Sequence, residues 1–175
     1  MEPFVESGMT FGPYDDGMCF RLETSNTYRA IQDGVKIAEM WLLRPNGDSR
    51  QTIWIVEAKK SSPMPERKNF PEFVGDISDK LTNSLVLYVS MMLGRHETRQ
   101  AELPGPFKTI NLSTSQFRLI LVINGHDIEW LPPLQDELRL RLKSTSQLWN
   151  LGANAVVVLN HDMALRHGLI SAIES

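Results

Sequence analysis

Two short apolar segments joined by strong turn chemistry constrain this chain more than anything else in it. Residues 35–43 and 52–59 are rich in β-branched and aromatic side chains and read as strands. Between them stands Pro45-Asn46-Gly47-Asp48-Ser49, where Asn and Gly tolerate positive φ, so the two strands are expected to close as an antiparallel hairpin. Such a hairpin must bury at least one face. Yet Glu39 lies within the first strand, and Glu57 and Lys59 lie at the end of the second.

Side chains alternate across a strand, so Glu57 and Lys59 project together with Ile53 and Ile55, and Glu39 shares its face with Trp41 and Leu43. A turn centred on Asp48 puts Glu39 directly opposite Glu57, with β-carbons about 4.5–5.5 Å apart. A slip of one residue would send one carboxylate to the other face, so the register carries the reading. Two carboxylates that close repel, unless a cation lies between them or one takes up a proton. They are hard oxygen donors, and a pair of them suits Mg²⁺ or Mn²⁺. Lys59 is placed to orient or help deprotonate an attacking water and to offset charge that grows on a phosphate. That set of groups is the one phosphodiester hydrolysis requires.

Elsewhere the pattern alternates. Residues 6–17 read as a loop or short edge strand, residues 18–23 as a first strand, and residues 25–33 as a short helix or turn. From 73 to 93, Ile77, Leu81, Leu85, Tyr88 and Met92 recur at spacings of three and four, the mark of a helix with one buried face. Residues 117–123 form an apolar run expected as a strand covered on both faces. A helix over 134–148, a strand over 155–159 and a closing helix over 162–173, capped by Asp162, complete a single α/β domain spanning 1–175. Its expected architecture is a mixed β-sheet flanked by helices.

This order resembles the PD-(D/E)-x-K nuclease superfamily: a carboxylate on one strand, Glu57-Ala58-Lys59 on the next, then a long helix and a buried strand. The similarity spans roughly residues 18–123 and implies a restriction-endonuclease-like fold. By resemblance, Glu39 is the first catalytic acid and Glu57 the second. Both bind Mg²⁺ or Mn²⁺, and Lys59 assists the attacking water. The family core often begins with a helix carrying a further acid; Glu6 is the candidate for that role, with Glu23 as its competitor. The implied partner is nucleic acid, DNA before RNA, and a homodimer is expected where two strands are cut. One departure is that Ala38-Glu39 stands where the family usually has proline and aspartate.

The alternative is a non-catalytic protein of the same fold that acts as a partner-binding or structural subunit. A net charge of −3, from 18 basic and 21 acidic residues, leans that way, because bulk binding to phosphates is driven by Lys and Arg. The remaining polar features have plainer readings. Asp76, Lys80 and Asn83 make a polar helix stripe expected to be solvated. Arg139, Arg141 and Lys143 spread around a helix rather than along one face. Ser61 and Ser62 end a strand, His126-Asp127 makes a turn, and the four tryptophans are expected to pack rather than to stack on bases. One cysteine, Cys19, excludes an internal disulfide and a cysteine-rich zinc site. No run is apolar enough to cross a bilayer and no secretory signal is visible, so a cytoplasmic location is expected.

Overall fold

A computed structural model describes residues 1–46, 50–96 and 100–172. The chain opens with a small antiparallel hairpin, β1 (Phe4–Glu6) and β2 (Met9–Phe11). Five further strands form one mixed sheet in chain order: β3 (Cys19–Arg21), β4 (Met40–Asn46), β5 (Arg50–Lys59), β6 (Gln116–Ile123) and β7 (Val156–Asn160). The first three of these run antiparallel; β6 lies parallel to β5 and β7 parallel to β6. Parallel neighbours need a crossover, and helices supply it. Helix α1 (Asn26–Arg29) precedes β4. Helices α2 (Phe70–Met92) and α3 (Gly105–Lys108) lie between β5 and β6, and α4 (Leu131–Arg141) and α5 (Lys143–Leu148) between β6 and β7. Helix α6 (His161–Arg166) follows the last strand. The architecture is therefore α/β, with a mixed sheet between two apolar layers.

Strand alternation divides the core. Trp41, Leu43, Ile53, Ile55, Leu119 and Leu121 meet Ile77, Leu81, Leu85 and Tyr88 of α2 and Leu138 of α4. The intervening residues Leu42, Trp54, Val56, Ile120 and Val122 meet Met9 and Phe11 of the opening hairpin and Ala164 and Leu169 near the end of the chain. β6 is thus covered on both sides, as its unbroken apolar run required. Trp41 locks the hairpin to α2: it stacks on Phe20 at 5.4 Å between centroids, meets Tyr88 edge-on at 5.1 Å, and donates its indole N–H to Ser84 O at 3.1 Å.

The register between β4 and β5 is the expected one, with Met40 opposite Val56 and Trp41 opposite Ile55. The turn that centres on Asp48 lies outside the described residues. Several boundaries differ from expectation. β4 begins at Met40 rather than at 35, because Ala38 N–H is taken by Ser84 Oγ and Glu39 N–H reaches Val56 O one step off the ladder. The helix expected over 134–148 is two, α4 and α5, meeting at Leu142. The closing helix stops at Arg166, and its cap is Asn160, whose side chain accepts from Met163 N–H, not Asp162.

Candidate functional site

The opening hairpin delivers Glu6. Its turn is Ser7-Gly8, with φ of 51° and 77°, a left-handed pair that asks for glycine at the second position. A β-carbon on Gly8 would also sit 3.0 Å from Asn124 Nδ2. Ser7 fastens the tip to the main sheet: its Oγ donates to Ala58 O at 3.0 Å, and its own carbonyl accepts from Asn124 Nδ2 at 3.2 Å. Ala58 separates Glu57 from Lys59, so this anchor brings Glu6 to the end of β5. Ser7 N–H holds Glu6 Oε1 at 2.9 Å. Glu6 thus stands at a strand end, not on the helix that the family resemblance implied.

Glu39 stands just before β4. Its N–H donates to Val56 O at 3.0 Å and its carbonyl accepts from Leu22 N–H at 2.9 Å, so the backbone is held between β5 and the residue after β3. Glu23 is the next residue along. Carboxylate oxygens of Glu6, Glu23 and Glu39 all lie within 4.8 Å of one another. Both Glu6 and Glu23 therefore converge on Glu39.

Glu57 is completely buried. Its Oε1 accepts from Lys59 Nζ at 2.7 Å and from Lys80 Nζ at 2.9 Å, while Oε2 is buried without a hydrogen-bond partner. Lys80 also stands 4.0 Å from Glu39 Oε1. The pairing with Lys80 corrects the reading of residues 76, 80 and 83 as a solvated stripe. Asp76 pairs with Lys36 and Asn83 donates to Lys36 O, but Lys80, one turn from each, is drawn inward to the acids. A lysine four residues after Asp76 looks like an ordinary surface pair, so the signal that sets it apart was tertiary.

Four carboxylates (Glu6, Glu23, Glu39, Glu57) face two ammoniums (Lys59, Lys80), two negative charges in excess when all are ionised. Burial first, then the charges of Glu57, Glu23 and Glu6, push Glu39 up to about 8, with Lys80 pulling the other way. Burial holds Glu57 above its ordinary value in spite of the pull of Lys80 and Lys59. Burial works to lower Lys80, but Glu57 and Glu39 outweigh it and the net direction is upward. The cluster of Glu6, Glu23 and Glu39, oxygen ligands from separate segments, has the chemistry of a site for a hard divalent cation, and Glu57 with its orphaned Oε2 stands outside it.

A pH dependence follows. Glu39 ionises in the unfolded chain near its ordinary value of 4.5 but in the fold only near about 8. The folded state therefore holds the extra proton between those values. That contribution to stability is complete below 4.5 and is lost as pH rises through about 8. Each tenfold difference in proton affinity between the folded and unfolded chain corresponds to about 1.4 kcal/mol. Metal-free Glu39→Gln should accordingly gain stability relative to the wild type as pH is raised from 5 to 9 in denaturant titrations. Parallel pH profiles for the two proteins would contradict the assignment.

No family model matches this chain, and no curated protein or solved structure matches it.

Proposed function

We propose that this protein is a metal-dependent nuclease of the restriction-endonuclease-like, PD-(D/E)-x-K type, hydrolysing phosphodiester bonds of DNA in preference to RNA. The single observation that carries the reading is the convergence of Glu6, Glu23 and Glu39 beside a buried Glu57 that holds two lysines. Support also comes from the order of elements: an antiparallel hairpin bearing the acids, a long helix, and a parallel strand on the far side of Glu57.

Glu39, Glu6 and Glu23 would hold Mg²⁺ or Mn²⁺, while Glu57, outside that cluster, is joined to Glu39 through Lys80. The ion would supply Lewis acidity at the phosphate and neutralise the excess negative charge. Lys59 is the more accessible of the two lysines, its side chain about one-third exposed (33%) against 17% for Lys80. Lys59 can therefore reach substrate, orient the attacking water and offset charge on the phosphate. Lys80 is a positioning residue, holding Glu57 Oε1 from below. Loss of the proton on Glu39 is the event that readies the carboxylates for the cation.

A second reading, a non-catalytic protein of this fold that binds a partner, is favoured by the same Glu57 Oε1: both lysines are already engaged there. Incubation with DNA in Mg²⁺ or Mn²⁺ separates the two. Cleavage is expected only with the divalent ion, and Lys59→Ala should lower its rate by about 10²-fold or more. No cleavage of single-stranded or duplex DNA with either ion would favour the second reading.

A further inference from the structure

We propose that the cavity walled by Arg139 and Lys143 is a binding site for a phosphate monoester, separate from the cluster of acids. The inference goes beyond the nuclease reading and does not depend on it. The cavity measures about 430 Å³ and is lined by Arg139, Lys143, Ser146, Gln147, Asn150 and Gly152, among others. Two cations and no carboxylate border it. The chain around it keeps the same bias: residues 138–161 carry Arg139, Arg141 and Lys143 and no Asp or Glu, in a protein of net charge −3. Val156, also in the wall, pairs with Leu119, and Leu119 with Ile55. The cavity therefore lies two strands across from Lys59 and about 13 Å back along the sheet.

Helix spacing builds one wall. Residues 139, 143, 146 and 150 recur every three or four positions, so one side of α4 and α5 borders the cavity in spite of the break at Leu142. Arg141 does not share that wall, and its Nη2 donates to Pro71 O at 3.4 Å. Arg139 is fixed at the edge of β7, where its Nε donates to Val156 O at 3.3 Å. Lys143 is exposed and, unlike Lys36, Lys59 and Lys80, makes no ion pair among the described residues. The loop after α5 builds the other wall. Asn150 has a φ of 48°, a left-handed conformation that asparagine tolerates better than most side chains. Ala155 N–H closes a turn on Gly152 O at 2.9 Å, and the N–H groups of Gly152 and Ala153 have no acceptor among the described residues.

This donor set selects the ligand. A guanidinium, an ammonium, a hydroxyl, side-chain amides and unpaired backbone N–H groups are the partners that phosphate oxygens take. A phosphate monoester carries about −1.5 to −2 charges at neutral pH, which two cations with no acid between them match. The ester's organic part has room beside the same loop. Residues 150–153 also border a cavity of about 800 Å³ that has Phe117 and Trp149 in its wall and no carboxylate. A small phosphoester and the phosphorylated end of a nucleic-acid strand both present this group, and the test separates them.

Titration calorimetry of the full chain in metal-free, phosphate-free buffer at fixed ionic strength provides that test. The wild type should bind thymidine 5′-monophosphate and not thymidine. Arg139→Gln and Lys143→Gln should each weaken binding by about tenfold or more. Arg141→Gln, which removes the same charge from the opposite side of the helix, should bind like the wild type. Melting curves check the fold, and Lys143→Gln, at an exposed position, decides the matter if Arg139→Gln loosens the edge of β7. Tighter binding of an oligothymidylate with a 5′ phosphate than of one without, lost in Lys143→Gln, supports the site with a strand end as its ligand; binding of the monophosphate alone supports it with a small phosphoester. A wild type that does not bind the monophosphate, undiminished binding in both Arg139→Gln and Lys143→Gln, or equal weakening by Arg141→Gln would overturn the site. Each of those results would leave the nuclease reading standing.

Discussion

Glu57→Ala is expected to cost about 3–5 kcal/mol of folding stability and to abolish metal-dependent cleavage. The side chain it removes is completely buried and is the shared partner of Lys59 and Lys80. Lys59 can turn to solvent, since its side chain is one-third exposed (33%), but Lys80, at 17%, would keep only Glu39, 4.0 Å away, as a partner. The loss therefore reflects a half-buried cation left with one distant partner rather than the value of the ion pair itself.

Two companions separate the structural effect from the chemical one. Glu57→Gln keeps the volume and a carbonyl acceptor for the lysines, so it should unfold at a denaturant concentration closer to the wild type. Its cleavage should still fall by about 10²–10³-fold, because the charge that helps hold the cation is gone. Pairing Glu57→Leu with Lys80→Met should recover much of the stability that Glu57→Ala loses, because it removes both charges from the buried site. Wild-type stability in Glu57→Ala would show that Lys80 does not depend on Glu57.

Much of this arrangement was legible in the chain. The turn chemistry of residues 45–49 between two β-rich runs pointed to the hairpin, and strand parity put Ile53, Ile55 and Glu57 on one face, the face that meets α2. The spacing of Ile77, Leu81, Leu85 and Tyr88 gave the helix covering it. Strand parity did not foresee that Glu39 would leave the ladder, since the cause is a hydrogen bond from Ala38 to Ser84, far along the sequence.

Lys80 was hidden for a similar reason. On the helix it has the spacing of a surface residue, and only the packing of α2 on β5 brings it to Glu57. Glu6 and Glu23 both stood as candidates for one role, and the fold brings both to Glu39. The hairpin that carries Glu6 was invisible because its strands are three residues each, too short for a period to show. The exposed indole of Trp130 (44%) was likewise unreadable, since burial of a tryptophan depends on what the next turn leaves uncovered.

The excess negative charge at the site makes cation binding the largest expected change in stability from outside the chain. An ion held only by the folded state stabilises it in proportion to the logarithm of its concentration over its dissociation constant, about 2.7 kcal/mol at a hundredfold excess. For a chain of 175 residues that corresponds to a rise in Tm of about 5–10 °C. Binding must displace the proton that Glu39 keeps until about 8, so the rise should be larger at pH 8.5 than at pH 6.

Thermal unfolding with and without millimolar Mn²⁺, for the wild type and for Glu39→Gln, tests the metal site most directly. The wild type should melt several degrees higher with the ion, and Glu39→Gln should melt at nearly the same temperature in both conditions. An unmoved wild-type Tm, or an equal rise in the variant, would mean that these carboxylates do not hold a cation.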